Sequence, residues 1–371
     1  MSLSALLLVG CSASVSINNE DLVNQGLRQR GLDPNEVVIP YELTDEMRQW
    51  AHDAVPELLR PELKLQYLRD ALLSGDDMKL EYSWGFTGTA KQVFEQQKAN
   101  CLAFTNLFIG MAREVGVPVY YLAVERVETF RKEGDLVVVS DHVAVGYGDP
   151  GVEMLVLDFS QNQDAAYRRV QPISDLTAFA MFHSNRGAEV LQEGDSSTAV
   201  RWLRTSVAID PELVPAWVNL GVVLRRDGDL EGAEDAYKRA LEIDPRMVSA
   251  YQNLAALLQI QGRMEEADNF LAMMQKTPNR NPYSYLSLGD ISLRNGRLEE
   301  ARRFYRRAVN LSRDDAEIYA ALGQVAVASG DLRTARRMLR RARKIDDANA
   351  RTVRLAQLID GGLVSYPNTG S

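Results

Sequence analysis

Two hydrophobic rhythms divide this chain of 371 residues. In the stretch Ala99 to Gly116, the residues Phe104, Leu107, Phe108, Met111, Ala112 and Val115 recur at i, i+3, i+4, i+7 spacing, and Gly116 with Pro118 supplies a stop. That spacing predicts a buried helix from about Cys101 to Val115. Upstream, Thr44 as an N-cap introduces a helix carrying Met47, Trp50, Ala51 and Ala54, and a second helix after Pro61 carries Leu65, Leu68, Leu72 and Leu73. A short strand over 79–82 and a helix over 90–97 deliver the chain to Cys101. Downstream, the runs 117–127, 135–147 and 152–159, dense in Val, Leu and Tyr, predict strands, the last two joined at Gly148-Asp149-Pro150-Gly151 as an antiparallel hairpin. Residues 12–43 are polar and broken at Gly31-Leu32-Asp33-Pro34-Asn35; without a sustained period they read as a tether with one short helix.

Beyond Asp175 the pattern is helical and repeats. Gly194, Gly228, Gly262, Gly296 and Gly330 recur every 34 residues, and Ala199, Ala233, Ala267, Ala301 and Ala335 keep the same period. Trp217-x-x-Leu220-Gly221, Tyr285-x-x-Leu288-Gly289 and Tyr319-x-x-Leu322-Gly323 share one motif, followed by Tyr237-x-x-Ala240 and Tyr305-x-x-Ala308. This is the tetratricopeptide pattern, in which small residues let paired helices approach and large ones fill the gaps. Five such repeats are expected over 176–349, with a capping helix and loose tail over 350–371. The first is atypical, with His183 in the aromatic position and Arg186 where Leu is usual, as befits the join between a solenoid and another domain.

Cysteine and histidine are scarce: Cys11 and Cys101, with His52, His142 and His183. That inventory builds no disulfide framework and no Cys/His zinc cluster, and neither metal nor cofactor is expected. The apolar run Leu3 to Val9, ending Leu8-Val9-Gly10-Cys11 and followed by Ser12, resembles a bacterial lipobox. The resemblance implies that 1–11 is a signal cut before Cys11, whose sulfur then carries lipid, and that Ser12 directs the protein to the outer membrane, facing the periplasm. Cys101 is then the one remaining thiol.

Cys101 falls in the first turn of its helix, where unpaired amides and the helix dipole favour the thiolate that attacks carbonyls. A small core residue is the plain alternative, since free cysteine is commonly buried. If residues equidistant from Pro150 pair, His142 lies opposite Asp158, close enough for imidazole and carboxylate to touch. His142 would take the thiol proton and return it to the leaving group, and Asp158 would orient the ring. The Cys101 amide would offer one oxyanion donor, with Gln92, Gln96 or Gln97 as sources of a second. His52 has no chemical partner nearby in sequence and reads as a surface or packing residue.

The order Asn100-Cys101-Leu102-Ala103-Phe104, then Asp141-His142-Val143-Ala144-Val145, then Val156-Leu157-Asp158-Phe159 is similar to the bacterial transglutaminase-like superfamily. The resemblance implies an α+β papain/transglutaminase-like domain over 44–175, with Cys101, His142 and Asp158 as the catalytic group, followed by the all-α tetratricopeptide-repeat solenoid. Asn100 and Leu102 stand where cross-linking members have Gln and Trp, so hydrolysis of a peptide or isopeptide amide is expected ahead of amine transfer. The rival reading is a non-catalytic scaffold in which both domains bind protein.

The chain carries a formal charge of −9, unevenly spread: Arg294 to Arg354 holds 16 Lys/Arg against 8 Asp/Glu. Arg302, Arg303, Arg306 and Arg307 recur one period later as Arg336, Arg337, Arg340 and Arg341, expected as a solvated helix face. An acidic exported protein is not expected to bind nucleic acid. A protein or peptide partner is expected in the repeat groove, at positions including Val218, Val222, Gln252, Ala256, Leu286 and Asp290. The membrane is to be met through Cys11.

Overall fold

From Asn19 onward, the expected tether ahead of Thr44 is folded. The computed structural model describes residues 19–75, 78–126, 131–133, 136–138, 142–150, 153–159, 167–276 and 281–361. Within them helix α1 (Asn19–Gln29) buries Val23 and Leu27, and Val37 and Leu43 enter the same apolar core. From Asn19 onward, therefore, the 12–43 stretch belongs to the packed N-terminal domain. Its apolar residues are too sparse for a period, and only the partners they meet in space account for their burial.

Helix α2 (Asp45–Ala54) begins at Thr44, whose hydroxyl accepts the Met47 amide at 3.3 Å, and α3 (Pro61–Ser74) starts on a proline that needs no donor there. Strand β1 (Glu81–Tyr82) precedes α4 (Ala90–Gln96) and pairs in parallel with β2 (Lys98–Ala99). Helix α5 (Cys101–Glu114) follows at once, and every residue from Cys101 to Ala112 is buried. A helix apolar on all sides must be enclosed on all sides. Here α2, α3, α4 and a β-sheet surround it.

That sheet is antiparallel throughout and built from β3 (Tyr120–Arg126), β6 (His142–Asp149), β7 (Glu153–Leu157) and β8 (Tyr167–Ile173), in the order β7-β6-β3-β8. Between β3 and β6 the short strands β4 (Arg131–Glu133) and β5 (Leu136–Val138) pair with each other. The single strand expected over 135–147 is thus divided between β5 and β6. Strand β8 went unforeseen because Arg168-Arg169 and Gln171-Pro172 interrupt its apolar alternation; it is an edge strand, where proline is tolerated.

The C-terminal region consists of antiparallel helix pairs: α6 (Asp175–Gln192) with α7 (Ser196–Ile209), α8 (Val214–Asp227) with α9 (Leu230–Ile243), α10 (Val248–Ile260) with α11 (Met264–Lys276), α12 (Pro282–Arg294) with α13 (Leu298–Leu311), and α14 (Ala316–Ala328) with α15 (Leu332–Ile345). Helix α16 (Ala350–Asp360) packs on the last pair. The periodic glycines sit at the turns with positive φ, from +70° at Gly296 to +95° at Gly194, a conformation costly for any residue bearing a Cβ. Gly221 has a different duty: a Cβ there would come within 2.4 Å of the Tyr237 ring, so its absence is what lets α8 and α9 close.

One helix belongs to both cores. The first half of α6 puts Ala178, Phe179, Ala180, Met181 and Phe182 into the N-terminal core, while Val190 and Leu191 enter the core of the solenoid. His183 lies at the changeover with 1% exposure, its Nδ1 2.8 Å from the Phe179 carbonyl and its ring 5.1 Å from that of Trp202. Burial pulls its imidazole down to about 4, so this is a neutral packing residue at the junction.

Candidate functional site

Cys101 occupies the first position of α5, directly after the N-cap Asn100. The Asn100 carboxamide oxygen accepts the Ala103 amide at 2.9 Å, and the Asn100 carbonyl takes the Phe104 amide at 3.0 Å. The two remaining first-turn amides, of Cys101 and Leu102, have no intrahelical acceptor. Of the three glutamines expected as a second donor, Gln92 accepts the Thr89 amide on Oε1 at 2.9 Å in a capping box, Gln97 accepts from Lys79 on Oε1 at 3.3 Å, and Gln96 is exposed.

His142 opens β6 and its Nε2 lies 2.5 Å from Oδ1 of Asp158. The two side chains are 13% and 6% exposed. Burial alone would push the imidazole down, but hydrogen bonds with Asp158 and then with the Cys101 thiol outweigh it and hold the ring up at about 9. Cys101, His142 and Asp158 are therefore brought together, and Cys101 keeps 7% of its surface open.

They meet by a route other than the one expected. The hairpin pairs Asp149 with Glu153, Gly146 with Val156 and Val145 with Leu157, a register two residues away from symmetry about Pro150. A slip of two keeps every side chain on its face, whereas a slip of one would reverse it. Asp158, just beyond β7, thus reaches His142 along the diagonal, a distance that an imidazole spans. An aromatic contact holds it there: Phe159 stacks on Phe104 with ring centroids 4.3 Å apart and touches Tyr82 at 5.7 Å. From the sequence, Asn100 and Phe159 are only the neighbours of Cys101 and Asp158, without the capping and stacking roles they have here. The only signal available was their adjacency to Asp158 and Cys101.

His52 is a surface residue beside Glu114, at 3.2 Å. Among the described residues no group of three or more His, Cys, Asp or Glu side chains is placed to hold a metal ion, and no helix is long and apolar enough to cross a membrane. Cys11 lies outside the described residues.

The inner face of the solenoid differs from expectation. Val218, Val222, Gln252 and Leu286 are buried by neighbouring helices, with 7%, 6%, 7% and 0% exposure, and the Gln252 Nε2 donates to the Ser284 carbonyl at 2.8 Å. Asp290 is engaged by Arg351 of α16, which also donates to Gln324 at 2.8 Å, and by the Tyr305 hydroxyl at 2.6 Å. These five positions are thus engaged within the protein itself. On the second helices Arg303, Arg306, Arg336 and Arg340 are exposed, while Arg307 and Arg341 lie over Tyr285 and Tyr319 at 5.8 and 5.4 Å.

Comparison with known proteins bears on the helical region. Three tetratricopeptide-repeat family profiles match, over residues 282–348, 214–247 and 236–269. A search of curated proteins returned no match. Among solved structures, PilF from Pseudomonas aeruginosa is 23% identical, covering 49% of this chain and 84% of its own, with a TM-score of 0.41. TTC0263, a thermophilic repeat protein of Thermus thermophilus, is 20% identical over 48% of this chain and 98% of its own, with a TM-score of 0.42. YrrB, described as having an unusual peptide-binding site, is 15% identical over 48% and 92%, with a TM-score of 0.36. With the 34-residue period and the paired helices, the family matches show that the C-terminal region of this chain carries tetratricopeptide repeats.

Proposed function

We propose that this protein is a protein-binding scaffold whose N-terminal domain carries a cysteine-based acyl-transfer centre of the transglutaminase-like, papain-like kind. The observation that carries the chemical half is His142, hydrogen-bonded to Asp158 on Nε2 and in reach of the Cys101 thiol. In this reading the thiol proton already rests on His142, whose ring is held up at about 9, and the sulfur attacks the carbonyl carbon of a peptide or isopeptide amide. The amides of Cys101 and Leu102 stabilise the resulting oxyanion. The imidazolium then gives its proton to the departing amine, leaving a thioester on Cys101. Water, deprotonated by the same ring, attacks the thioester, and collapse releases the acid and restores the thiol.

The repeat region recruits a protein or peptide partner. A purely binding role for both domains is the second reading, favoured by the repeat matches and by the small opening at Cys101. The lipobox-like segment supports anchoring of the whole at the outer membrane through Cys11; Cys11→Ser would then release it to the soluble fraction, and unchanged membrane association would refute the anchor.

Iodoacetamide alkylation separates the two readings. With Cys11→Ser as background, so that Cys101 is the only thiol, His142→Ala should slow alkylation at neutral pH by about tenfold or more. An unchanged rate would leave the binding-only reading standing.

A further inference from the structure

Glu189 belongs to α6, the first helix of the solenoid, yet its carboxylate is directed at the segment that leads into α5. Its Oε1 accepts the backbone amide of Thr87 at 2.9 Å, and its Oε2 receives Arg186 Nη1 at 2.5 Å. Thr87 is fully buried, with 0% exposure, and its Oγ1 accepts from Asn100 Nδ2 at 2.7 Å. Asn100 completes the line by accepting the Ala103 amide on its oxygen at 2.9 Å.

Glu189 anchors the Thr87 backbone through its amide, which keeps the Thr87 Oγ1 within reach of Asn100. Asn100 donates its amide nitrogen to that oxygen, which turns its carboxamide oxygen to the Ala103 amide, where an N-cap must have one. Without Glu189 the Thr87 backbone loses this anchor. Asn100 then loses the acceptor that sets which way its carboxamide faces, and the first turn of α5 loses its cap.

We propose that Glu189 is a positioning residue for Cys101: acting through Thr87 it fixes the orientation of the Asn100 side chain, and through Asn100 the helix turn that presents the thiol and the amides of Cys101 and Leu102. The first solenoid helix is thereby a working part of the reactive site rather than only the start of a binding region. This rests on the catalytic reading of Cys101, but the hydrogen-bond relay can be tested apart from it.

The test uses the full chain in the Cys11→Ser background, with two readouts: alkylation of Cys101 by iodoacetamide and hydrogen exchange at the Ala103 amide. Glu189→Ala should lower both the alkylation rate and the exchange protection by about tenfold, the scale of one lost buried hydrogen bond. Glu189→Gln, which retains an acceptor for Thr87, should stay within about threefold of the parent. Thr87→Val should behave like Glu189→Ala, and Thr87→Ser like the parent. Ser206→Ala controls for general weakening, because it removes another buried bond of the junction, to the Ala180 carbonyl at 2.6 Å, without touching Thr87. The proposal is overturned if Glu189→Ala leaves Ala103 protection intact, or if Ser206→Ala reproduces the losses. If His142→Ala leaves alkylation unchanged, the catalytic reading fails by itself, and exchange at Ala103 still decides the relay.

Discussion

Asp158 reaches His142 diagonally across a hairpin whose register places neither opposite the other, and Nε2 to Oδ1 is 2.5 Å. The bond depends on Asp158 standing just past the end of β7, where its backbone is released from the ladder and Phe159 can turn inward onto Phe104. Orientation of the imidazole is therefore supplied from two directions, by the carboxylate and by aromatic packing.

Asp158→Asn retains an acceptor but not the charge, and Asp158→Ala removes both. Alkylation of Cys101 should fall in the order parent, Asp158→Asn, Asp158→Ala, with His142→Ala lowest, because orientation matters less than the base itself. Circular dichroism run alongside separates this from unfolding. Phe159→Ala should copy part of the Asp158→Ala defect with the carboxylate still present.

Two histidines set opposite limits on stability. His142 is held up at about 9 against about 6.5 in an unfolded chain. Its contribution is complete below about 6.5 and is lost as pH rises through about 9. His183, pulled down to about 4, is neutral when folded and takes a proton on unfolding, so stability is lost as pH falls from about 6.5 toward 4. Each limb is at most on the order of 3 kcal/mol. Urea midpoints measured from pH 4 to 10 should show His142→Ala flattening the alkaline limb and His183→Phe the acid limb. If the limbs persist in these variants, other groups govern them.

Gly221→Ala tests the close approach of α8 to Tyr237. With the added Cβ 2.4 Å from a ring that is fully buried, the pair must separate, at a cost of about 1–3 kcal/mol. Combining it with Tyr237→Leu should recover part of the loss, measured as coupling in a double-mutant cycle. Gly262→Ala, at a turn with φ of +77° and open space around it, should cost only the backbone term of about 1 kcal/mol.

Arg351→Met should destabilise the C-terminal end of the solenoid by about 2–4 kcal/mol, since it strands the half-buried Asp290 while keeping the aliphatic stem. Adding Asp290→Asn should recover much of this. Exchange protection should drop in α16 and α14 first, and the α5 core should be unaffected.

The solenoid was legible because a repeat states its contacts many times over: Leu220-Gly221 with Tyr237 and Leu288-Gly289 with Tyr305 are one packing solution written twice, 68 residues apart. Helix α5 was legible for the opposite reason, since a segment apolar on every side has only one kind of place to go. Cys101, His142 and Asp158 could be named from their order and the hairpin between them. What only the tertiary structure decided were relations between segments with no shared period. The helix α1 and the residues up to Leu43 gain their burial from partners far along the chain. Edge strand β8 is specified by pairing with β3 rather than by its own alternation. The two-residue displacement of the hairpin is invisible in composition because it leaves each side chain on its face. The line from Glu189 through Thr87 to Asn100 joins the two regions by hydrogen bonds between distant segments, which residue spacing does not encode.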